Sequence, residues 1–212
     1  MTDFATARGA MVRDQIADRG IRDPAVLAAF HEVPRELFVP EHLRHQAYED
    51  RALPIEAEQT ISQPYIVAVM LAAAQLSPRD HVLEVGAGSG YAAALMAHLA
   101  RSVVAVERHA ELAALARGRM HQLGLVNVRT VHGDGTQGYP PAAPYDVILC
   151  AAASPEVPPA WFEQLSPGGR IILPVGEPEG AQRLVRITVQ PDGRLKEETL
   201  EPVRFVPLLP GC

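Results

Sequence analysis

Five short apolar runs between residues 81 and 174 have the length and the valine, isoleucine and leucine content of buried strands: residues 81–85, 102–107, 128–132, 146–151 and 170–174. Segments with helical character lie between them, at 90–100, 110–123 and 158–165. Strands that alternate with helices favour parallel pairing, because each crossover helix returns the chain to the same end of the sheet. The pattern therefore predicts an α/β fold with a mostly parallel sheet.

The tail of the chain follows a different pattern. Two β-like runs occupy residues 183–190 and 195–206, and the sequence Pro191-Asp192-Gly193 between them favours a tight turn. These residues predict an antiparallel hairpin at one edge of the sheet.

The first third of the chain is predicted to be mainly helical. Residues 5–18 and 24–31 carry apolar positions at helical spacing, and residues 64–76 form a strongly apolar helix. Residues 48–63 hold too many charges and turn residues for a core element, so we expect an ordered loop there.

Length and composition are consistent with a folded domain. A chain of 212 residues with 48% hydrophobic content can bury a full core. We expect a single domain over residues 1–212, in which a helical N-terminal region at 1–78 precedes a sheet-containing core at 79–212.

Charge and cysteine content restrict the partners. Lys and Arg number 19 against 25 Asp and Glu, a net charge of -6, which does not suit binding to a phosphate backbone. Neither a signal peptide nor a membrane-spanning stretch is visible. We therefore expect a cytoplasmic monomer that binds neither nucleic acid nor membrane. Cys150, Cys212 and the eight histidines lack ligand spacing, so we expect no metal, and Cys150 suits a small buried position.

The sequence VLEVGAGSGY at residues 82–91 places a glycine-rich turn between a strand and a helix. Such a turn alone is weak evidence, because many tight turns need glycine. A dinucleotide-binding turn would place its third glycine at Tyr91, whereas here Gly86, Gly88 and Gly90 follow Glu84. That spacing resembles the first motif of class I methyltransferases. An acid at Glu84 also suits the cationic sulfonium of S-adenosylmethionine.

Two further acids end predicted strands, Glu107 after the second and Asp134 after the third. Each alone is more typical of a solvated loop. Because parallel sheets bind ligands at the carboxyl ends of their strands, three acids at three strand ends favour a nucleoside pocket, with Glu107 on the ribose hydroxyls. Ser89, Arg108 and Gly135 are assigned to the same pocket by adjacency, although Arg108 also suits a solvent-facing position.

Several motifs outside the glycine-rich turn point to one family. They are MVRDQI at 11–16, VPRELFVP at 33–40, QTISQPYIVA at 59–68 and VRFVPL at 203–208. Together they resemble the protein-L-isoaspartate O-methyltransferases over nearly the whole chain. The resemblance implies a doubly wound, mostly parallel Rossmann-like sheet with a helical N-terminal extension and C-terminal antiparallel strands. It also implies S-adenosylmethionine as cofactor and isoaspartyl-containing proteins or peptides as substrates, methylated on their free α-carboxyl group.

The resemblance also assigns roles to residues. Ser62 becomes the catalytic residue, Asp134 lies beside the adenine amine, and Thr60, Ile61, Ser62, Val206 and Pro207 contact the acceptor. Local sequence alone favours a different role for Ser62, since a serine shortly before an apolar helix is a good helix cap. The acceptor carboxylate is already ionised at neutral pH, so the reaction needs positioning more than a general base.

One segment departs from the family pattern. Residues 55–58 read Ile-Glu-Ala-Glu where the family usually has glycines. If Glu56 and Glu58 face the acceptor, they alter its specificity, whereas the simpler expectation is that both point to solvent. Two alternatives therefore remain open: a class I methyltransferase for another carboxylate or peptide, and a non-catalytic module that binds S-adenosylmethionine.

Overall fold

The computed structural model describes residues 3–177 and 179–212. Its strands are β1 Leu53–Pro54, β2 Thr60–Ile61, β3 His81–Val85, β4 Ser102–Glu107, β5 Val128–His132, β6 Tyr145–Cys150, β7 Leu165–Val175, β8 Gln182–Val189 and β9 Leu195–Val203. Its α-helices are α1 Phe4–Ala10, α2 Pro24–Glu32, α3 Pro64–Ala74, α4 Tyr91–Ala97, α5 Ala110–Gln122 and α6 Pro159–Phe162.

Seven strands form one sheet in the order β5-β4-β3-β6-β7-β8-β9. The pairs from β5 to β7 are parallel, and β8 and β9 add to the edge in antiparallel pairing. From β3 the chain runs outward to β4 and β5 and then returns to β6 on the other side of β3. The fold class predicted from the sequence is therefore confirmed, and the reversal of strand order beside β3 creates a crevice at the carboxyl ends of the strands.

The central strands are buried on both faces, which explains their continuous apolar sequences. In β3, Val82 faces the core shared with the N-terminal helices, whereas Leu83 and Val85 face the core that contains Trp161. Alternation of this kind follows from the two-residue period of a strand. Helix α3 is apolar around most of its circumference because the sheet lies on one side of it and the N-terminal region on the other.

The N-terminal region differs from the prediction in two places. The first predicted helix is α-helical only to Ala10 and continues as a π-helix over Met11–Ala17, where Asp18 N donates to the carbonyl of Arg13 at 2.9 Å. The wider turn places three apolar side chains, Met11, Val12 and Ile16, inside the core. The predicted loop at 48–63 contains the short antiparallel pair β1–β2.

The final strands also differ in extent. Helix α6 ends at Phe162, and β7 begins at Leu165 instead of near Arg170. Leu165 pairs with Tyr145 across a register irregularity, which the sequence Pro167-Gly168-Gly169 accommodates. None of the helices in the described ranges has the length and apolarity needed to cross a lipid bilayer.

Candidate active site

The glycine-rich turn joins β3 to α4 at the crevice. Gly88 and Gly90 have φ of 53° and 89°, a backbone conformation that other residues adopt at a cost. A Cβ on Gly90 would lie 3.0 Å from Met120 Cε and 3.1 Å from Ala116 Cβ, so the turn packs directly on α5. Glycine is therefore required here by both conformation and space.

Glu107 ends β4 beside this turn. Its two carboxylate oxygens accept from the backbone amides of Gly88 at 2.8 Å and His109 at 2.9 Å. The side chain is buried, and it lines the crevice. A carboxylate oriented by two amides can still accept from hydroxyl groups of a ligand, because each oxygen has a second lone pair.

Glu84 lies one strand away on β3 and is only 1% exposed. Neither of its carboxylate oxygens has a hydrogen-bond partner among the described residues. Burial, and secondarily the charge of Glu107, raises the pKa of Glu84 well above its usual range. An isolated buried carboxylate that lines a cavity fits a ligand carrying hydrogen-bond donors or positive charge.

The crevice brings together nearly all the side chains that the sequence assigned to the site. Its lining contains Thr60, Ile61, Ser62, Glu84, Gly86, Gly88, Ser89, Glu107, Arg108, Gly135, Val206 and Pro207. Asp134 does not line it. The carboxylate of Asp134 instead accepts from Thr136 N at 2.9 Å and from Gly211 N at 2.8 Å. Although burial acts in the opposite direction, a hydrogen bond from the Thr136 hydroxyl at 2.7 Å, together with these two amide bonds, holds the pKa of Asp134 below its usual value.

Ser62 lies where two cavities meet. A second groove, on the side of β9, shares Thr60, Ser62, Ala151 and Val206 with the crevice. In the described residues the Ser62 hydroxyl makes no hydrogen bond. The N-cap residue of α3 is Gln63, which has no side-chain capping bond. The capping role favoured by local sequence is therefore wrong, and the hydroxyl is available to a ligand in either cavity.

The profile of the protein-L-isoaspartate(D-aspartate) O-methyltransferase (PCMT) family matches residues 6–211. The chain belongs to this family. A relative from Rhodopseudomonas palustris (strain HaA2), named protein-L-isoaspartate O-methyltransferase 1, is 51% identical over 98% of this chain and 85% of its own length. A second relative, from Koribacter versatilis and named protein-L-isoaspartate O-methyltransferase, is 53% identical over 99% of this chain and 93% of its own length. The resemblance stated from the sequence motifs is thus confirmed.

Solved structures of the same family agree with the fold. A protein-L-isoaspartate O-methyltransferase structure superposes with a TM-score of 0.84 at 32% identity, over 94% of this chain. The chain spans 65% of the length of that structure. A second, from Plasmodium falciparum in complex with S-adenosyl-L-homocysteine, has a TM-score of 0.82 at 24% identity and covers 99% of both chains, which supports the fold alone.

The segment that departs from the family pattern forms the turn between β1 and β2. Ala57 and Glu58 have φ of 56° and 57°, in the left-handed region where glycine is favoured. Glu58 is exposed, as expected. Glu56 is not: its Oε1 lies 3.9 Å from Arg119 Nη2, and Arg119 also donates to the Ser89 carbonyl at 3.0 Å. The expectation that both acids face solvent is therefore wrong for Glu56, which connects this turn to the glycine-rich turn.

Sequence reasoning missed the apolar wall of the crevice. This wall consists of Val67, Met70 and Leu71 on α3, Ala92 on α4 and Leu149 on β6. Their apolar character was visible in the sequence, but nothing distinguished them from ordinary core residues. Such a wall is typical of ligand pockets, in which a few polar groups set orientation and apolar surface excludes water.

Proposed function

We propose that this member of the PCMT family transfers a methyl group from S-adenosylmethionine to the α-carboxylate of L-isoaspartyl residues in damaged proteins or peptides. The main support is the position of Ser62, at the junction between the crevice around Glu84 and the adjacent groove. A transferase needs such a junction, because donor and acceptor must enter separately and meet at one point.

The crevice fits the donor. Glu107 would accept from the ribose hydroxyls, and Gly88 allows the nucleoside to approach the backbone. Glu84 would face the positively charged methionine end, which supplies the donors that its orphaned oxygens need. Bound S-adenosylmethionine supplies an electrophilic methyl carbon on a cationic sulfur. The deprotonated form of Glu84 is the one that this charge stabilises.

The groove would hold the acceptor, and Ser62 would orient it. A carboxylate with an unperturbed pKa near 4 is ionised at neutral pH, so no residue has to remove a proton. The Ser62 hydroxyl would donate to one carboxylate oxygen while the other oxygen attacks the methyl carbon. Holding the nucleophile in line in this way can contribute about 7–11 kcal/mol to lowering the barrier.

Methylation makes the damaged site reactive. In the ester, the nitrogen of the neighbouring backbone amide attacks the carbonyl carbon, a proton passes to the departing oxygen, and methanol leaves. The product is a succinimide, which water opens partly to normal aspartate. The enzyme would therefore start a repair that the substrate's own backbone completes.

Methyl transfer to matched peptides tests this proposal. Purified protein is incubated with methyl-labelled S-adenosylmethionine and either an isoaspartyl peptide or the same peptide with normal aspartate. Label is expected in the isoaspartyl peptide only, as a base-labile ester. Equal labelling of both peptides, or none, would refute the assignment and favour another acceptor or a binding module.

Two substitutions separate the roles of the site residues. Ser62→Ala is expected to lower kcat at least tenfold with little change in cofactor Kd, because the hydroxyl contacts the acceptor. Glu107→Ala is expected to weaken cofactor binding by about 1–3 kcal/mol, the range for unpairing a buried hydrogen-bonded group. Steady-state kinetics and calorimetry on both variants provide the test, and the opposite pattern would mean that the two roles are exchanged.

We further propose that the protein acts as a cytoplasmic monomer and folds as one unit, without a stable division between residues 1–78 and 79–212. Large apolar side chains that are strongly exposed in the described residues are few and scattered, namely Val126, Leu195 and Leu209. Such scattering does not form an interface. Light scattering should give a mass near 22.9 kDa, and a dimer mass would contradict the proposed state.

A further inference from the structure

Arg35 is a cation buried without a carboxylate. It begins the 3₁₀ turn Arg35–Phe38 within the N-terminal region and is 0% exposed. In the described part of the chain no acidic side chain lies within ion-pair distance of it, and its Nη1 has no hydrogen-bond partner. Burial lowers the pKa of this guanidinium. Burying a charge in this way costs free energy. The hydrogen bonds that Arg35 does make therefore indicate what its burial achieves.

Two of those contacts join distant parts of the chain. Arg35 Nε donates to the carbonyl of Ala47 at 2.8 Å, and Nη2 donates to the carbonyl of Ser62 at 2.8 Å. Ala47 and Ser62 flank residues 48–61, which we call the acceptor loop. One guanidinium therefore holds both ends of the loop that carries β1, β2 and Thr60.

The guanidinium of Arg35 also packs against an aromatic cluster centred on Tyr91. Its Cζ lies 4.8 Å from the centre of the Tyr91 ring, and Phe30 and Phe38 pack against that ring in T-shaped arrangements. Tyr91 is the first residue of α4 and directly follows the glycine-rich turn. The planar fork of an arginine makes two bonds in fixed directions, which a lysine cannot reproduce.

We propose that Arg35 is a positioning residue for methyl transfer, which sets the main chain of Ser62, and so its hydroxyl, against the cofactor by holding both ends of the acceptor loop. The inference rests on the proposed role of Ser62. Arg35 does not line the crevice or the groove, so it acts through Ser62 and not on either ligand.

The test compares Arg35→Met with a matched control, Arg170→Met. Arg170 also donates to two main-chain carbonyls, those of Ala74 and Gln75, but at the far end of α3, and it pairs with Asp80 at 2.8 Å. Both variants are expected to lower the Tm. Only Arg35→Met is expected to lower kcat, by at least tenfold when the rate is divided by the concentration of protein that binds cofactor. Its cofactor Kd should change less than twofold. Arg35→Lys keeps the charge but not the forked shape of the guanidinium, so its kcat should lie between those of wild type and Arg35→Met.

A double-mutant cycle with Ser62→Ala separates positioning from general stability. If Arg35 acts through the Ser62 hydroxyl, Arg35→Met should lower kcat less than twofold further when Ser62 is already alanine. Full additivity, an unchanged kcat in Arg35→Met, or an equal loss in Arg170→Met would overturn the inference. Should Arg35→Met not fold, the same cycle with Arg35→Lys decides. Failure of the wild type to methylate isoaspartyl peptides would refute the proposed function instead.

Discussion

Replacing Glu84 with glutamine removes one ionisable group from the crevice and leaves its size nearly unchanged. The raised pKa of Glu84 means that the ligand-free folded protein holds this proton over a pH range in which the unfolded chain has already released it. The stability that the protonated Glu84 contributes is therefore lost as pH rises from the ordinary pKa of 4.5 toward the higher pKa of the folded state. One proton corresponds to at most about 1.4 kcal/mol per pH unit.

Cofactor binding should show the opposite pH dependence. A cationic ligand favours the ionised carboxylate, so affinity rises as pH increases through the folded pKa of Glu84. In Glu84→Gln this increase should disappear, and binding at pH values above the folded pKa of Glu84 should weaken by about 2–5 kcal/mol, the usual loss when one member of a buried charge pair is removed. The same ionisation would then destabilise the free protein and stabilise the complex.

Denaturant unfolding at a series of pH values, with and without S-adenosylmethionine, measures both effects. We expect ligand-free Glu84→Gln to gain stability relative to wild type as pH rises above 4.5. Glu163→Gln, which alters an exposed acid, is the control and should follow the wild type. Parallel pH profiles for wild type and Glu84→Gln, together with unchanged cofactor affinity, would refute the assignment of Glu84 to the cationic end of the cofactor.

Three further outcomes follow from the packing and charge of the site. In Gly135→Ala the new methyl group would overlap Val85, so stability should fall by about 1–3 kcal/mol, and an unchanged Tm would contradict this packing. Burial raises the pKa of Cys150 to about 12. A thiol reagent should therefore modify only the exposed Cys212 in native protein, and both cysteines in denaturant. Rapid labelling of two thiols in native protein would contradict the buried position of Cys150. Arg204 is exposed in the groove without an ion pair in the described residues, so Arg204→Glu should raise KM more for peptides with acidic neighbours than for those with basic ones, and an equal change would show that Arg204 does not contact the acceptor.

The parallel core could be predicted because its signals are local. Each buried strand is a short apolar run, and the acids at Glu84 and Glu107 stand next to strand ends that the sequence identifies. Strand pairing then brings those ends together without further information. The resemblance of residues 59–68 supplied the acceptor side, which the periodicity of the sequence could not.

The features that were missed depend on contacts between distant segments. Arg35 is 12 residues from Ala47 and 27 from Ser62 along the chain, and nothing local indicates that it is buried. Glu56 looks like a solvated loop acid until α5 places Arg119 beside it. Asp134 follows β5 as predicted, but the C-terminal segment supplies the Gly211 amide that its carboxylate accepts from. Its proposed contact with adenine stays a prediction.

A crystal structure of the complex with S-adenosyl-L-homocysteine and an isoaspartyl peptide tests the central claim most directly. We expect the peptide in the groove, with its α-carboxylate within about 3 Å of the Ser62 hydroxyl and one carboxylate oxygen facing the cofactor sulfur. A peptide bound elsewhere, or a Ser62 hydroxyl directed away from the carboxylate, would contradict the account.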